Sequence, residues 1–389
     1  VYTAKKIITM EPAMPEATAV AVAGGRVVAV GSLASLQPLL DARKGKVDRR
    51  LQKSVLMPGF IDPHVHPSLP AVLTQFAFLA PDSWSLPTGE FPGATTPEAY
   101  AARLKTLAAA HDDPAIPFIV WGYHPLWHGD VYRDTLNEWF ADQPVMIWHR
   151  SFHELIGNDA AFDLLGISAA DVQGMHEVDW KRGHFWENGL KALVPKLGFL
   201  FDPQRYGQGM VNFLQMLHRG GVTTALDMGI GIFGNPEAEI ALVRKATEGS
   251  QAPVRITLTP LITDFLLRER TPAQAQAEIE QWREGNSRRV RVESHFKLMM
   301  DGAIFSGLAQ MGPPGYLDGH EGQWMAPLET TTQWAQHFWN AGYQLHAHTN
   351  GDKSADAFID ILRTLSRENP QSDHRMVLEH FAYTTEDQN

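Results

Sequence analysis

The chain has no cysteine among its 389 residues. Disulfides and thiolate metal ligands are therefore excluded, and any metal must rest on His, Asp, Glu or a modified Lys. Positive charge is scarce as well: 33 Lys and Arg stand against 44 Asp and Glu, a formal net charge of -11. A nucleic-acid partner would want a basic surface, so none is expected. No apolar run approaches the ~18 residues of a membrane span, so no membrane partner is expected either. No signal-peptide pattern is visible, and the cytoplasm is the expected compartment. The sequence nevertheless opens at Val1 in a strand-like run, so a leader could have preceded it.

Hydrophobic residues make up 44% and charged residues 20%, the proportions of an ordinary globular protein. The length suffices for one large core and a smaller domain. Residues 1–55 read as short strands, with Gly24-Gly25 between two Val/Ala-rich runs as a hairpin signal. From Pro67 to Gln204 the pattern is irregular and rich in Pro, Trp and His. One helix is clear there, capped by Thr96 with Pro97 at its first position, and Phe118-Val120 and Val145-Trp148 read as strands. From Met210 onward helical and strand patterns alternate. Asn235-Pro236 and Thr271 open helices, and Val222-Leu226, Val254-Leu258, Phe296-Met300, Tyr343-His348 and Met376-Leu378 read as strands. That alternation predicts an α/β fold on a parallel sheet, either barrel or doubly wound.

The chemistry-bearing residues fall at strand ends. A run from Val55 to Ile61 leads into His64-Val65-His66, and side chains at i and i+2 share a face of a strand. Two imidazoles placed so can grip one metal ion, although a chain of 17 histidines also makes such pairs by chance. Asp62 is either a partner that fixes an imidazole tautomer or a turn residue before Pro63. Lys297 sits inside the apolar run Phe296-Met300, where an ammonium is costly unless paired. His348 and His380 end two further strands, and His346 shares the face of His348 as a ligand or a buried neighbour.

Together these residues resemble the amidohydrolase superfamily, and within it the YtcJ-like branch that includes N-substituted formamide deformylase. The matching segments are Val55-Pro67, Gly221-Asp227, Phe296-Gly302, His348-Asp352 and Glu379-His380, in the family's order. The opening Ile7-Met10 and Ala21-Gly31 also look like that family's N-terminal β-domain. The resemblance implies a (β/α)8 TIM barrel with a small β-sandwich built from both chain ends. Residues 1–55 would be the N-terminal half of the sandwich and 56–389 an incomplete barrel, with 67–204 an insertion forming a pocket wall. By position, His64, His66, His348 and His380 match metal ligands, and Lys297 matches a carboxylated lysine bridging two divalent cations, expected to be Zn2+. His153 matches a histidine near the substrate pocket. The insertion also carries Trp121, His124 and Trp186 as candidate wall residues, and Asp301 is a candidate pocket residue. One family feature has no counterpart before Asn389: the general-base Asp at the end of the eighth strand, expected beyond that residue.

The implied reaction is hydrolysis of a C–N amide-type, non-peptide bond in a small molecule such as an N-substituted amide or formamide. Attack would come from a metal-bridging hydroxide, and Lys297, His348 and His380 would be catalytically essential. The resemblance leaves room for a homodimer. Two alternatives remain. A mononuclear deaminase of the same superfamily would lack the strand lysine. A non-catalytic binding or regulatory protein would keep the barrel without turnover.

Overall fold

The computed structural model describes every residue except Phe233. Two compact units are present: Val1–Ile61 with Gly221–Thr223, and Asp62–Gly220 with Thr224–Asn389. The first is built on one four-stranded sheet, ordered Arg26–Gly31, Glu16–Ala23, Tyr2–Ile8, Val55–Leu56. Gly24 and Gly25 both take positive φ, 58° and 74°, which is what a two-residue hairpin turn demands. Ala19 and Ala21 face inward at alternate positions and pack with Leu36, Leu33 and Leu39.

The second unit holds most residues of the parallel strands. One sheet is ordered Val290–Val292, Arg255–Pro260, Val222–Ile230, Phe60–Val65. Another runs His295–Met299, Gln344–Thr349, Val377–His380, parallel throughout. A single parallel bridge, Leu261 to Lys297, connects the two. The fold is thus mixed α/β with parallel sheets, but the eight-stranded barrel implied by resemblance is not closed. A closed barrel needs continuous ladders from first strand to last. Here Phe60–Val65 and Val377–His380 meet only through side chains, His64 Nδ1 donating to Glu379 Oε2 at 2.5 Å.

Helices cover the outer faces. Pro203–Arg219 buries Tyr206, Met210, Phe213, Leu214 and Leu217, an i, i+4, i+7 stripe. Asn235 and Thr271 cap their helices as the sequence predicts, Thr271 in a capping box with Gln274. On the strand His295–Met299, Phe296 and Leu298 point outward and are fully buried. Phe296 stacks on Phe338 with ring centroids 3.7 Å apart, fastening strand to helix. The alternate residues, His295, Lys297 and Met299, face the other way.

The stretch 67–204 holds its own six-stranded sheet, ordered Val178–Asp179, His184–Trp186, Glu154–Gly157, Val145–His149, Phe118–Tyr123, Ala77–Phe78. Its core includes Tyr100, Leu104, Val120, Leu136 and Ile147. Thr96 accepts from the Ala99 amide and caps Pro97–Ala109. Among the described residues, no helix is long and apolar enough to cross a membrane.

Candidate metal centre

Parallel pairing sets Lys297 beside His346 and His348 beside Glu379, all on one face of their sheet. Strict alternation would leave His380 on the opposite face, beside Thr349. Instead His380 and Phe381 take positive φ, 70° and 45°, a conformation of low population for non-glycine residues. That twist brings His380 Nε2 to 3.0 Å from His348 Nδ1. Across from them, His64 Nε2 lies 3.3 Å from His66 Nε2. The rings of His64 and His380 are 4.8 Å apart, so the two pairs adjoin. Gly229 makes room for the cluster: a Cβ there would stand 3.0 Å from His66 Nδ1.

Two nitrogens on one tetrahedral zinc, each at about 2.05 Å, stand about 3.3 Å apart. Both imidazole pairs have such spacing. Among the described residues, no three His, Asp or Glu side chains are grouped to hold an ion as they stand. The four imidazoles therefore form two adjoining pairs, with a buried lysine among their charged neighbours. Lys297 is 1% exposed, and its Nζ has no hydrogen-bond partner among the described residues.

The electrostatics follow from that crowding. Burial, then the neighbouring His64, Lys297 and His380, press His66 well below the ordinary imidazole value. Burial with His380 and Lys297 does the same to His348, and burial with Lys297 and His64 brings His380 down to about 4. Neutral imidazoles with free lone pairs are the form that ligates cations. Burial lowers Lys297 to about 8, against the pull of Glu379 and Asp227. Glu379 moves the other way. Its burial is outweighed by hydrogen bonds from His346 and His64 and by Lys297, so it is held as a carboxylate. The donor set thus suits divalent cations together with a modified lysine.

Other residues singled out in the sequence take varied places. His153 Nδ1 donates to Glu187 Oε2 at 3.0 Å, and its charge reaches His66, His348 and His380. Burial lowers His153, but the Glu187 carboxylate overrides it and the net shift is upward. Phe152, next to His153, and Glu187 itself both take positive φ, 70° and 42°. Trp121 is buried against Phe78, Trp84 and Phe152. His124 caps the short helix Pro125–His128, and Trp186 pairs with Glu154 across the insertion's sheet. None of these three shares a hydrogen bond or ring contact with the four clustered histidines among the described residues. Asp301 is fully buried, and its carboxylate accepts from the Gln310, Asn350 and Gly351 amides and from Ser354 Oγ. It fastens a loop and has no idle oxygen for proton transfer. Asp62 accepts from the His64 amide at 3.2 Å, a turn contact. The carboxylate that meets the His64 imidazole is Glu379, which sequence reasoning passed over. A separate cavity of about 770 Å3, lined by Gln75, Arg205, Gln208 and Asn212 among others, shares no residue with this cluster.

Behind His66 lie buried carboxyls. Asp227 Oδ1 is 3.8 Å from His66 Nδ1, and Glu239 Oε2 accepts from the Gly231 amide at 2.8 Å. Burial raises Glu239 to about 7, and hydrogen bonds from Ser68 and Gly231 only partly oppose it. A carboxyl raised in the folded state contributes stability fully below its unfolded value of 4.5 and loses it as pH rises through about 7. Glu239→Gln should flatten that dependence and stabilise the protein by roughly 3 kcal/mol above pH 7. Urea midpoints of both proteins between pH 4.5 and 8 check this, and parallel curves would contradict it.

The chain is thus a parallel α/β array whose strand ends gather four histidines near a buried lysine. The chain belongs to the amidohydrolase family, whose profile matches residues 51–389. It is 23% identical over 387 residues to the exoenzymes regulatory protein AepA of Pectobacterium carotovorum subsp. carotovorum, covering 95% of this chain and 78% of that protein. Two solved structures share the fold at 18% identity, both described as uncharacterized metal-dependent hydrolases. The one from Pyrococcus horikoshii OT3 gives a TM-score of 0.66, over 92% of this chain and 66% of that one. The one from Pyrococcus furiosus gives 0.63, over 93% and 69%. The chain thus spans about two thirds of the length of those structures.

Proposed function

We propose that this protein is a metal-dependent hydrolase acting on a C–N amide-type, non-peptide bond, such as an N-substituted amide or formamide. The observation that carries the reading is the pair of imidazole pairs at ligand-like spacing beside a buried lysine amine without a partner. His64, His66, His348 and His380 would hold two divalent cations, with zinc the best fit to an all-nitrogen and carboxylate donor set. Lys297 would join them as a carbamate, its neutral amine adding carbon dioxide and releasing one proton. Bound there, the cations supply Lewis acidity toward the substrate carbonyl and a water acidic enough to ionise near pH 7. The parallel strands of the two sheets are consistent with part of a (β/α)8 barrel, whose chemistry collects at the C-terminal strand ends.

The chain's own groups have distinct parts. Neutral imidazoles keep the donors available at physiological pH. His153, steadied by Glu187, is placed to hand a proton to the departing nitrogen. The insertion, with Trp186 on its sheet and His124 just after the strand Phe118–Tyr123, would shape the wall against an apolar N-substituent. One finding favours a second reading: the relative AepA is named a regulatory protein, which suits a barrel that binds without turnover. Elemental analysis of protein purified without chelator, paired with a panel of N-substituted amides and formamides, separates the two. About two cations per chain with turnover is expected. Bound cation without turnover on any amide supports the binding protein, and no bound cation sinks the hydrolase.

A further inference from the structure

Beneath the candidate ligands runs a chain of side-chain hydrogen bonds that none of the roles above uses. His64 Nδ1 meets Glu379 Oε2 at 2.5 Å, and the other oxygen, Oε1, meets His346 Nδ1 at 2.8 Å. His346 Nε2 then meets His295 Nδ1 at 3.0 Å. Glu379 and His346 are buried, at 6% and 2% exposure, so neither exchanges partners readily with water. Backbone pairing explains the alignment. His295, His346 and Glu379 lie on three adjacent parallel strands, and each residue is offset toward the strand ends from the one before.

Hydrogen-bond direction along this chain is dictated by its one group that has no proton to give. A carboxylate only accepts, so His64 and His346 both present Nδ1–H to Glu379. With its Nδ1–H turned to Glu379, His346 offers Nε2 to His295 Nδ1–H, 3.0 Å away. His64 in turn turns its bare Nε2 toward the cluster, where His66 lies 3.3 Å away. We infer that His295, His346 and Glu379 are positioning residues that lock His64 as the Nδ1–H tautomer with its Nε2 lone pair facing the cation site. The inference rests on the proposal that His64 is a metal ligand. It adds that His346 and His295, which reach His64 only through Glu379, govern how tightly the cation is kept. Outer partners of metal-bound histidines typically change affinity about 10- to 100-fold when removed.

The test uses zinc as the probe and the whole protein. His346→Leu removes both links while keeping an apolar filler, His346→Gln restores one N–H toward Glu379, and His295→Leu trims the far end. Zinc affinity is read by competition with a chromogenic chelator, and the His64 tautomer by 15N imidazole shifts with and without zinc. Expected are a loss of about 10- to 100-fold in zinc affinity for His346→Leu and mixed His64 tautomers without zinc. Recovery of most of the affinity is expected in His346→Gln, with a smaller loss in His295→Leu. Unchanged affinity and a single unchanged tautomer in His346→Leu overturn the inference while leaving the metal reading intact. Failure of the unaltered protein to bind zinc overturns the metal reading alone, because the tautomers in zinc-free protein still decide whether the chain orients His64. If His346→Leu does not fold, the half-buried His295→Leu decides: no tautomer change there overturns the inference.

Discussion

Lys297→Ala should lose at least one cation per chain and cut turnover by more than the about 100-fold typical of removing an outer partner. The reason is electrostatic. An ammonium beside two cations in a poorly solvated pocket repels them by roughly several kcal/mol, whereas a carbamate reverses the sign and offers two oxygens. Burial already prepares the amine: at a value of about 8, roughly one lysine in ten is neutral at pH 7, far more than for a solvated side chain. Small carboxylic acids should restore part of both cation content and rate by occupying the vacated space. Elemental analysis and steady-state kinetics with and without acetate check this. A Lys297→Ala protein that keeps its cations and its rate would favour a single-metal site.

His153→Ala should lower kcat by about 10²- to 10⁴-fold, the range for removing a general acid, while leaving cation content unchanged. Glu187→Gln is the more discriminating variant. Glu187 holds His153 above the level that burial alone would set, so its loss lowers His153. If protonated His153 is the proton donor, the basic limb of the kcat profile moves to lower pH in Glu187→Gln. A profile that stays in place, with an undiminished His153→Ala rate, would remove the dyad from the chemistry.

Much of the frame was legible because local rules act over a few residues. Thr96, Asn235 and Thr271 announce helix starts through side chains that cap amides three positions on. His64, His66, Lys297, His348 and His380 stood out as polar residues closing or interrupting apolar strands. Partnerships across the fold were not legible. Glu379 meets His64 across 315 positions of sequence, and nothing near either residue signals it. His380 was placed by strand-end position, yet the ring reaches His348 only through a positive φ that no sequence pattern foretells. The insertion's sheet escaped notice because strands such as His184–Trp186 and Val178–Asp179 are too short to show a period. Trp121 looked like a wall residue by type, but its strand places it in an aromatic core.

The side-chain junction between His64 and Glu379 has a mechanical corollary. His64 and Glu379 are the fastener across a seam that carries no backbone ladder. A strand laddered on one side only, as Val377–His380 is to Gln344–Thr349, opens more readily than one laddered on both. The candidate ligands sit on that seam, so whatever tightens their grip also draws the rim shut. Hydrogen exchange at the Val377–His380 amides should slow when zinc is added, reporting the centre from the backbone that frames it.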